Sequence, residues 1–334
     1  MTTSHGPRQR FPTKRTEQGV SLIELLVAIT IGALLIFGAT QVYVDSRNTY
    51  EINESTARLQ ETARYAMSVL EPDIRMSNYW GLLKGAGIIG NQARQDEPSA
   101  GPPTNCGANY ARDLVMNIES SDGSSTFACT AYRASAVASA DTLTIRRAAA
   151  TPSTGATGRL RVCSTRVMGE LVTDSSGCTT APAGQVNDLI VNAYYISQDS
   201  TDRPGLPSLQ RIALTDGPAF VAEEIVPGIE DMQIQFGVDP TGMRGVATRY
   251  VNPGDVAAGE QIVSVRIWLL IRSETPEVGF VDGRTYAYAD RDEDNGKTAN
   301  LNAASAATQA YEPADGFRRL LVSRTIQIRN ILGT

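Results

Sequence analysis

A single histidine, His5, occurs in the whole 334-residue chain. A Ser-His-Asp or Cys-His arrangement, or a histidine-ligated metal, would have to pass through that one residue near the N-terminus. Cysteine is scarce too. The four present, Cys106, Cys129, Cys163 and Cys178, lie far from the C-x-x-C spacing that a zinc site or a redox motif needs. The phosphate-binding pattern G-x-x-x-x-G-K-[ST] is absent, which argues against a P-loop ATPase. An excess of positive charge is lacking as well: 30 Lys+Arg stand against 36 Asp+Glu, a net charge of −6, which disfavours wrapping nucleic acid by phosphate neutralisation. Charged residues are 20% and hydrophobic residues 42%, enough for a sizeable core and too many apolar residues for wholesale disorder.

What the chain does have is one long apolar run. Residues 1–19 are polar and carry Arg8, Arg10, Lys14 and Arg15 against one acid, Glu17. From Leu25 to Val44 there are 20 residues without a charge. As a helix that run spans about 30 Å, the thickness of a bilayer hydrocarbon core. The basic flank places the N-terminal side in the cytoplasm and the 290 residues after Val44 across the membrane. An ordinary secretory signal has a shorter apolar core followed by a small-residue cleavage site, and Gln41-Val42-Tyr43-Val44-Asp45 offers none. Glu24 sits at the edge of the run with apolar residues on both sides. A carboxylate there costs several kcal/mol unless paired, so it is a functional candidate. Gly32 and Gly38 weaken this helix by up to about 1 kcal/mol each relative to alanine, and fit either close helix packing or a segment that can partly melt.

Beyond Val44 the helix is expected to continue. Ile52, Thr56, Leu59, Ala63, Ala66 and Leu70 form one stripe, with Glu51, Arg58, Glu61 and Arg64 on the other face. Pro72 sets the expected end, giving an amphipathic continuation over 45–72. Residues 73–334 then read as one elaborated β-rich domain. Strand-like runs occur at Thr142–Arg146, Arg159–Cys163, Leu189–Ile196 and Leu320–Ile328. Two more show clean alternation: Met232, Ile234, Phe236 and Val238, and Val263, Val265, Ile267, Leu269 and Ile271. The first of these, with Gln233, Gln235 and Gly237 between its apolar residues, reads as a half-buried strand. The expected fold class is α+β, a long N-terminal helix packed on an antiparallel sheet.

Few residues suggest chemistry. Asp290, Asp292 and Asp294, in Asp290-Arg291-Asp292-Glu293-Asp294-Asn295-Gly296, alternate like the ligands of a calcium loop, but the sixth position is Asn295 and the twelfth Leu301. The run reads first as a solvated loop, with calcium a weak candidate and no other metal or cofactor expected. Gly85-Ala86-Gly87-Ile88-Ile89-Gly90 matches G-x-G-x-x-G by letters, without the preceding strand that dinucleotide binding requires. Glu223, Glu224, Glu230 and Asp231 are not distinguished from turn and surface residues, so no catalysis is assigned. The four cysteines lie beyond the apolar run, where disulfides persist. Of three connectivities, the sequence-local one, Cys106 with Cys129 and Cys163 with Cys178, is expected, each bond contributing about 3 kcal/mol.

The junction Gly19-Val20-Ser21-Leu22-Ile23-Glu24-Leu25-Leu26 resembles the class III signal peptide of the type IV pilin family. The resemblance implies cleavage by a prepilin peptidase between Gly19 and Val20, N-methylation of Val20, and an assembly role for Glu24 as the fifth mature residue. Val20 stands where the family most often has phenylalanine, and Gln41 lies where many major pilins have proline. In an assembled stack, the Glu24 carboxylate of one subunit could pair with the Val20 amine of a neighbour, which removes the cost of either ion alone and sets register. Removal of residues 1–19 would take away His5 and lower the counts to 26 basic and 35 acidic residues, net −9.

Further on, Leu206–Arg211, Glu224–Gln235 and Val263–Ile267 are similar to blocks of PilW-type minor pilins; Pro207 and Gly228 make turns and the residues after each form strands. This implies a low-abundance pilus subunit at the inner membrane that primes filament assembly, with placement at the pilus tip and cell surface. The implied partners are other minor pilins, the major pilin, the platform protein, the prepilin peptidase and a tip adhesin. Two rival readings remain: a type II secretion pseudopilin of the tip complex, which shares the leader, and a membrane-anchored surface-binding module that never enters a filament.

Overall fold

The computed structural model describes residues 19–94, 106, 109–124, 136–153, 158–173, 184–217 and 219–331. The chain divides into two compact units, Met1–Glu54 and Ser55–Thr334. One helix, α1, runs without a break from Leu22 to Arg75. In the first unit its apolar side chains are exposed all round. Within the second unit only one stripe is apolar, and Leu59, Ala63, Ala66 and Leu70 from that stripe are buried together with Met67 and Ile74. Ile52, expected on the same stripe, is 41% exposed. The helix ends three residues beyond Pro72. In the last turn a proline removes one hydrogen bond rather than breaking a running ladder. The turn beyond it is held from outside, by burial of Ile74 and by the carboxylate of Asp73.

Asp73 is 4% exposed and fully partnered. Its Oδ1 accepts from Arg147 Nε at 2.8 Å. Its Oδ2 accepts from Asn192 Nδ2 at 2.6 Å and Tyr194 Oη at 2.7 Å. Glu71 on the same turn pairs with Arg324 and Arg75.

The strands follow in chain order: β1 Ile89–Gly90, β2 Ile118–Ser121, β3 Thr142–Pro152, β4 Arg161–Ser164, β5 Gly169–Val172, β6 Gln185–Ser197, β7 Ser208–Leu214 and β8 Phe220–Pro227. They build an eight-stranded sheet ordered β1-β5-β4-β6-β3-β2, which forks at the long β6. β4 pairs with its residues 185–188, and β7, carrying β8, pairs with its residues 192–197. A second sheet has the order β10-β9-β11-β14, from β9 Ile229–Asp239, β10 Arg249–Val251, β11 Gln261–Arg272 and β14 Arg319–Gln327. β12 Asp292–Thr298 and β13 Gln309–Tyr311 form a small parallel pair. Apart from that pair and β1–β5, the pairing is antiparallel.

Two apolar clusters lie on either face of the larger sheet. Tyr194 and Ile196 of β6 join α1 and the second sheet, whereas Val191, Ala193 and Tyr195 face Trp80, Leu83 and Leu160. Asp141 ties the sheets together: its carboxylate accepts from Gly123 N at 3.1 Å and Ile234 N at 2.8 Å. Burial pushes its carboxyl well above the ordinary range.

The alternating strands are where the sequence places them, but β9 is covered on both faces instead of one. Asp231, Gln233 and Asp239, on the face expected to be wet, are all fully buried. The cover comes from Ser139, whose carbonyl accepts from Gln233 at 3.0 Å, and from Tyr288 and Arg291. Gly237 is required there, since a Cβ would meet Ser264 Oγ at 2.2 Å and Ala247 Cβ at 2.8 Å. Gly228 takes a positive φ of 86° in the β8–β9 turn, as the turn expected there demands. β8 and the exposed β12 were not anticipated: β12 is polar throughout, and in β8 apolar Val221 and Ala222 are exposed beside Glu223 and Glu224, so neither shows a clean alternation.

Burial separates the two parts of the helix energetically. Leu70→Ala should cost about 3 kcal/mol through transfer and cavity terms, whereas Ile52→Ala should stay within about 0.5 kcal/mol. Chemical denaturation of the detergent-solubilised chain checks both.

Candidate functional site

The expected processing residues Gly19 and Val20 are exposed and precede the helix. Ser21 caps it: Glu24 N donates to Ser21 Oγ at 3.2 Å, and Leu25 N to Ser21 O at 3.1 Å. Ser21-Leu22-Ile23-Glu24 is therefore half of a capping box, a signal that the sequence reading passed over. A carboxylate in the first turn also faces the positive end of the helix dipole. Local helix physics explains an acid here, but it leaves the Glu24 side chain without a partner among the described residues.

The surface around it is apolar on every side. Leu22, Ile23, Leu34, Leu35 and Phe37 are each more than 65% exposed. Thr30 and Thr40 donate to the carbonyls of Val27 and Ile36 at 2.9 and 2.8 Å, so the hydroxyls in this stretch are satisfied within the helix. Nothing lies within 4 Å of a Cβ built on Gly32 or Gly38. Among the described residues no close contact requires these glycines, which leaves their faces open to a neighbouring helix. The helix is long and apolar enough to cross a membrane, and none of that stretch is covered by the described residues. Such a surface is stable only in lipid or against other apolar helices.

The other candidates resolve differently. Cys106 and Cys163 are both buried and disulfide-bonded. Cys129 and Cys178 lie outside the described residues, and so does the expected pairing. Gly85–Gly90 forms a short 3-10 turn and the two-residue β1, with no strand leading in. Among the described residues no three His, Cys, Asp or Glu side chains are placed to hold a metal. Asp292 and Asp294 are exposed on β12, a strand rather than the expected loop. Asp290 turns inward instead. Burial, then the neighbouring Asp122 carboxylate, pushes its carboxyl up to about 6.

Glu230 and Asp231 are not surface residues. Leu270 pairs with Asp231 and Ile271 with Ile229, so Glu230 is the extra residue of a bulge. The bulge lets two consecutive acids both go inward. Asp231 takes Arg291 on both oxygens, at 2.8 and 3.1 Å, with both side chains fully buried. Glu230 takes Arg319 at 2.5 and 3.0 Å. Arg291 also donates to Ser139 O at 3.0 Å and Ala306 O at 2.7 Å. These acids are saturated by arginines and have a structural role. Glu223 and Glu224 on β8 bind Arg211 and Ser200. The signal in the sequence was Glu230-Asp231 interrupting an otherwise alternating strand.

Residues 14–40 match the family model described as Prokaryotic N-terminal methylation motif, and residues 193–330 match the one described as Type IV Pilus-assembly protein W. The first match contains Gly19, Val20 and Glu24; the second runs from within β6 to just past β14 and includes the whole second sheet. No curated protein and no solved structure matches the chain significantly.

Asp290 gives a pH signature. Its folded pKa of about 6 lies above the ordinary 3.8, so the folded state holds the proton more tightly. Stability from this group is full below about pH 4 and is lost as pH rises to about 6. Asp290→Asn should therefore stabilise the protein at pH 7, by about 1 kcal/mol once solvent screening of a part-exposed group is allowed for, and leave it unchanged near pH 4. Urea titrations at the two pH values measure it.

Proposed function

We infer, from the match of residues 193–330 to the type IV pilus-assembly protein W model and of residues 14–40 to the N-terminal methylation motif, that this chain is a minor pilin of the PilW family. Its role is pilin-like and its N-terminal helix anchors it in a membrane. In the proposed cycle, prepilin peptidase cuts between Gly19 and Val20 on the cytoplasmic face and Val20 is methylated. Residues 20–44 then span the inner membrane, and residues 73–334 lie in the periplasm. With other minor pilins and the platform protein the chain primes the filament, into which the major pilin then adds. It remains at the filament tip, on the cell surface, where a tip adhesin is its neighbour. Function follows from assembly and no catalysis is proposed.

The observation that carries this reading is the pairing of one unpartnered carboxylate with an otherwise apolar, uncovered helix. Glu24 lies four residues along the chain from the amine that cleavage would free on Val20, which precedes the helix. In a stack of such helices each Glu24 reaches a neighbour's Val20, and the pair is satisfied in one register only. A plain anchor accounts for an acid in the first turn of a helix but supplies no partner for its charge beside the membrane.

Two experiments test it. Mass spectrometry of Glu24→Ala should find a chain cut after Gly19 and absent from sheared filaments; an assembled Glu24→Ala chain would refute the register argument, and an intact Gly19–Val20 bond in wild type would refute the processing. A deletion strain should lose surface pili and twitching while type II secretion continues. Lost secretion with normal pili would reassign the chain to a pseudopilus.

A further inference from the structure

A groove of about 1110 Å³ opens beside β2, between it and the β10–β11 end of the second sheet. It exceeds the usual range for a small-molecule site, about 300–1,000 Å³. Its rim is apolar: Ile88, Val115 and Met116 are 55%, 60% and 44% exposed. Among the described residues β2 pairs with β3 on one side only, so one wall is an unpaired sheet edge. Arg146 N donates to Asn117 O at 2.8 Å. Pairing alternates from there, so Glu119 and Ser121 bond to β3 while the N–H and C=O of Ile118 and Ser120 point away. Those outward groups have no partner among the described residues. Two further polar atoms along the groove, Ser120 Oγ and Gln261 Oε1, are buried and unbonded.

The charges of the groove are unequal in kind. Its acids are already neutralised: Glu119 pairs with Arg146 at 3.0 Å and Glu260 with Arg249 at 2.7 Å. Its cations are not. Lys84 and Arg166 line the groove, are exposed, and have no ion-pair partner among the described residues. An occupant therefore meets an unpaired sheet edge, apolar pockets beside it and two uncompensated positive charges.

We propose that this groove takes an extended, acidic and apolar peptide segment of a partner protein, which adds as a strand to β2 and places a carboxylate between Lys84 and Arg166. Main-chain bonds to Ile118 and Ser120 give affinity, alternate side chains fill the apolar groove, and charge selects the partner. The site does not depend on the pilus reading, since a pseudopilin or an anchored module with this fold would carry it equally.

The test uses the full chain in detergent micelles and a fluorescein-labelled ten-residue peptide alternating valine and threonine and ending in two aspartates. A twin ending in two lysines is the control. Fluorescence anisotropy should show the acidic peptide binding at least tenfold more tightly than the twin. Lys84→Glu with Arg166→Glu alters two exposed, unpaired side chains, so the fold should be unaffected and the preference should reverse. Ser120→Pro removes an outward N–H without touching the β3 ladder and should weaken both peptides. Should that variant misfold, the charge-reversed one still decides. Equal binding by the charge-reversed protein would overturn the proposal. So would binding that appears only after deletion of residues 332–334, which would make this chain's own C-terminus the occupant.

Discussion

The Asp73 side chain is buried near the end of α1, and its hydrogen bonds hold the last turns of the helix in place. The carboxylate is out of water, which is unfavourable by several kcal/mol unless its oxygens are filled. Arg147 of β3 and Asn192 and Tyr194 of β6 fill them. Two neighbouring strands of the larger sheet thus converge on one side chain of the helix. Around it Leu70 and Ile74 pack with Tyr194 and with residues of the second sheet. The polar contact fixes where along the sheet the helix sits, and the apolar contacts supply the larger share of the free energy. Among the described residues the apolar side chains of the helix before Glu54 are exposed, whereas its turns from Leu59 to Ile74 are held within the globular unit by these contacts.

The second sheet uses the same device at its centre. β9 is flanked by β10 and β11, and covered on both faces. Its buried acids would be untenable without arginines brought from distant parts of the chain. Arg291 lies 60 residues from Asp231, and Arg319 lies 89 from Glu230. Each guanidinium also satisfies carbonyls or a hydroxyl nearby, so few of its donors are wasted. Pairs of this kind add little net stability compared with apolar replacements, but misplacing one is costly, which favours a single arrangement. The loops bearing Tyr288, Arg291 and Ser139 are ordered by these contacts instead of by regular pairing.

The legible parts of the sequence were those governed by local period. The charge-free run, the stripe from Leu59 to Leu70, and the alternation in β9 and β11 all follow from one residue's neighbours along the chain. The junction around Gly19 and Glu24 was legible as a motif. Pro72 misled by three residues, because a proline rule is local and the last turn of α1 is held by tertiary contacts. Glu230 and Asp231 read as surface acids because the chain gives no sign of which arginine will reach them. The short runs β1, β5, β10 and β13 carry too few residues for any period to register, and they exist because a neighbour offers an edge.

By itself the sequence determined the helix, its charge-free run up to Val44, the strands with clean alternation and the acid at position 24, since each depends on hydrophobicity and spacing that need no partner. The tertiary structure decided which polar side chains are buried, which face of β9 is dry, and which strand keeps an open edge among the described residues. Those properties arise from pairs 60 or more residues apart, such as Asp231 with Arg291 or Asp73 with Arg147, and no local pattern encodes a contact of that separation.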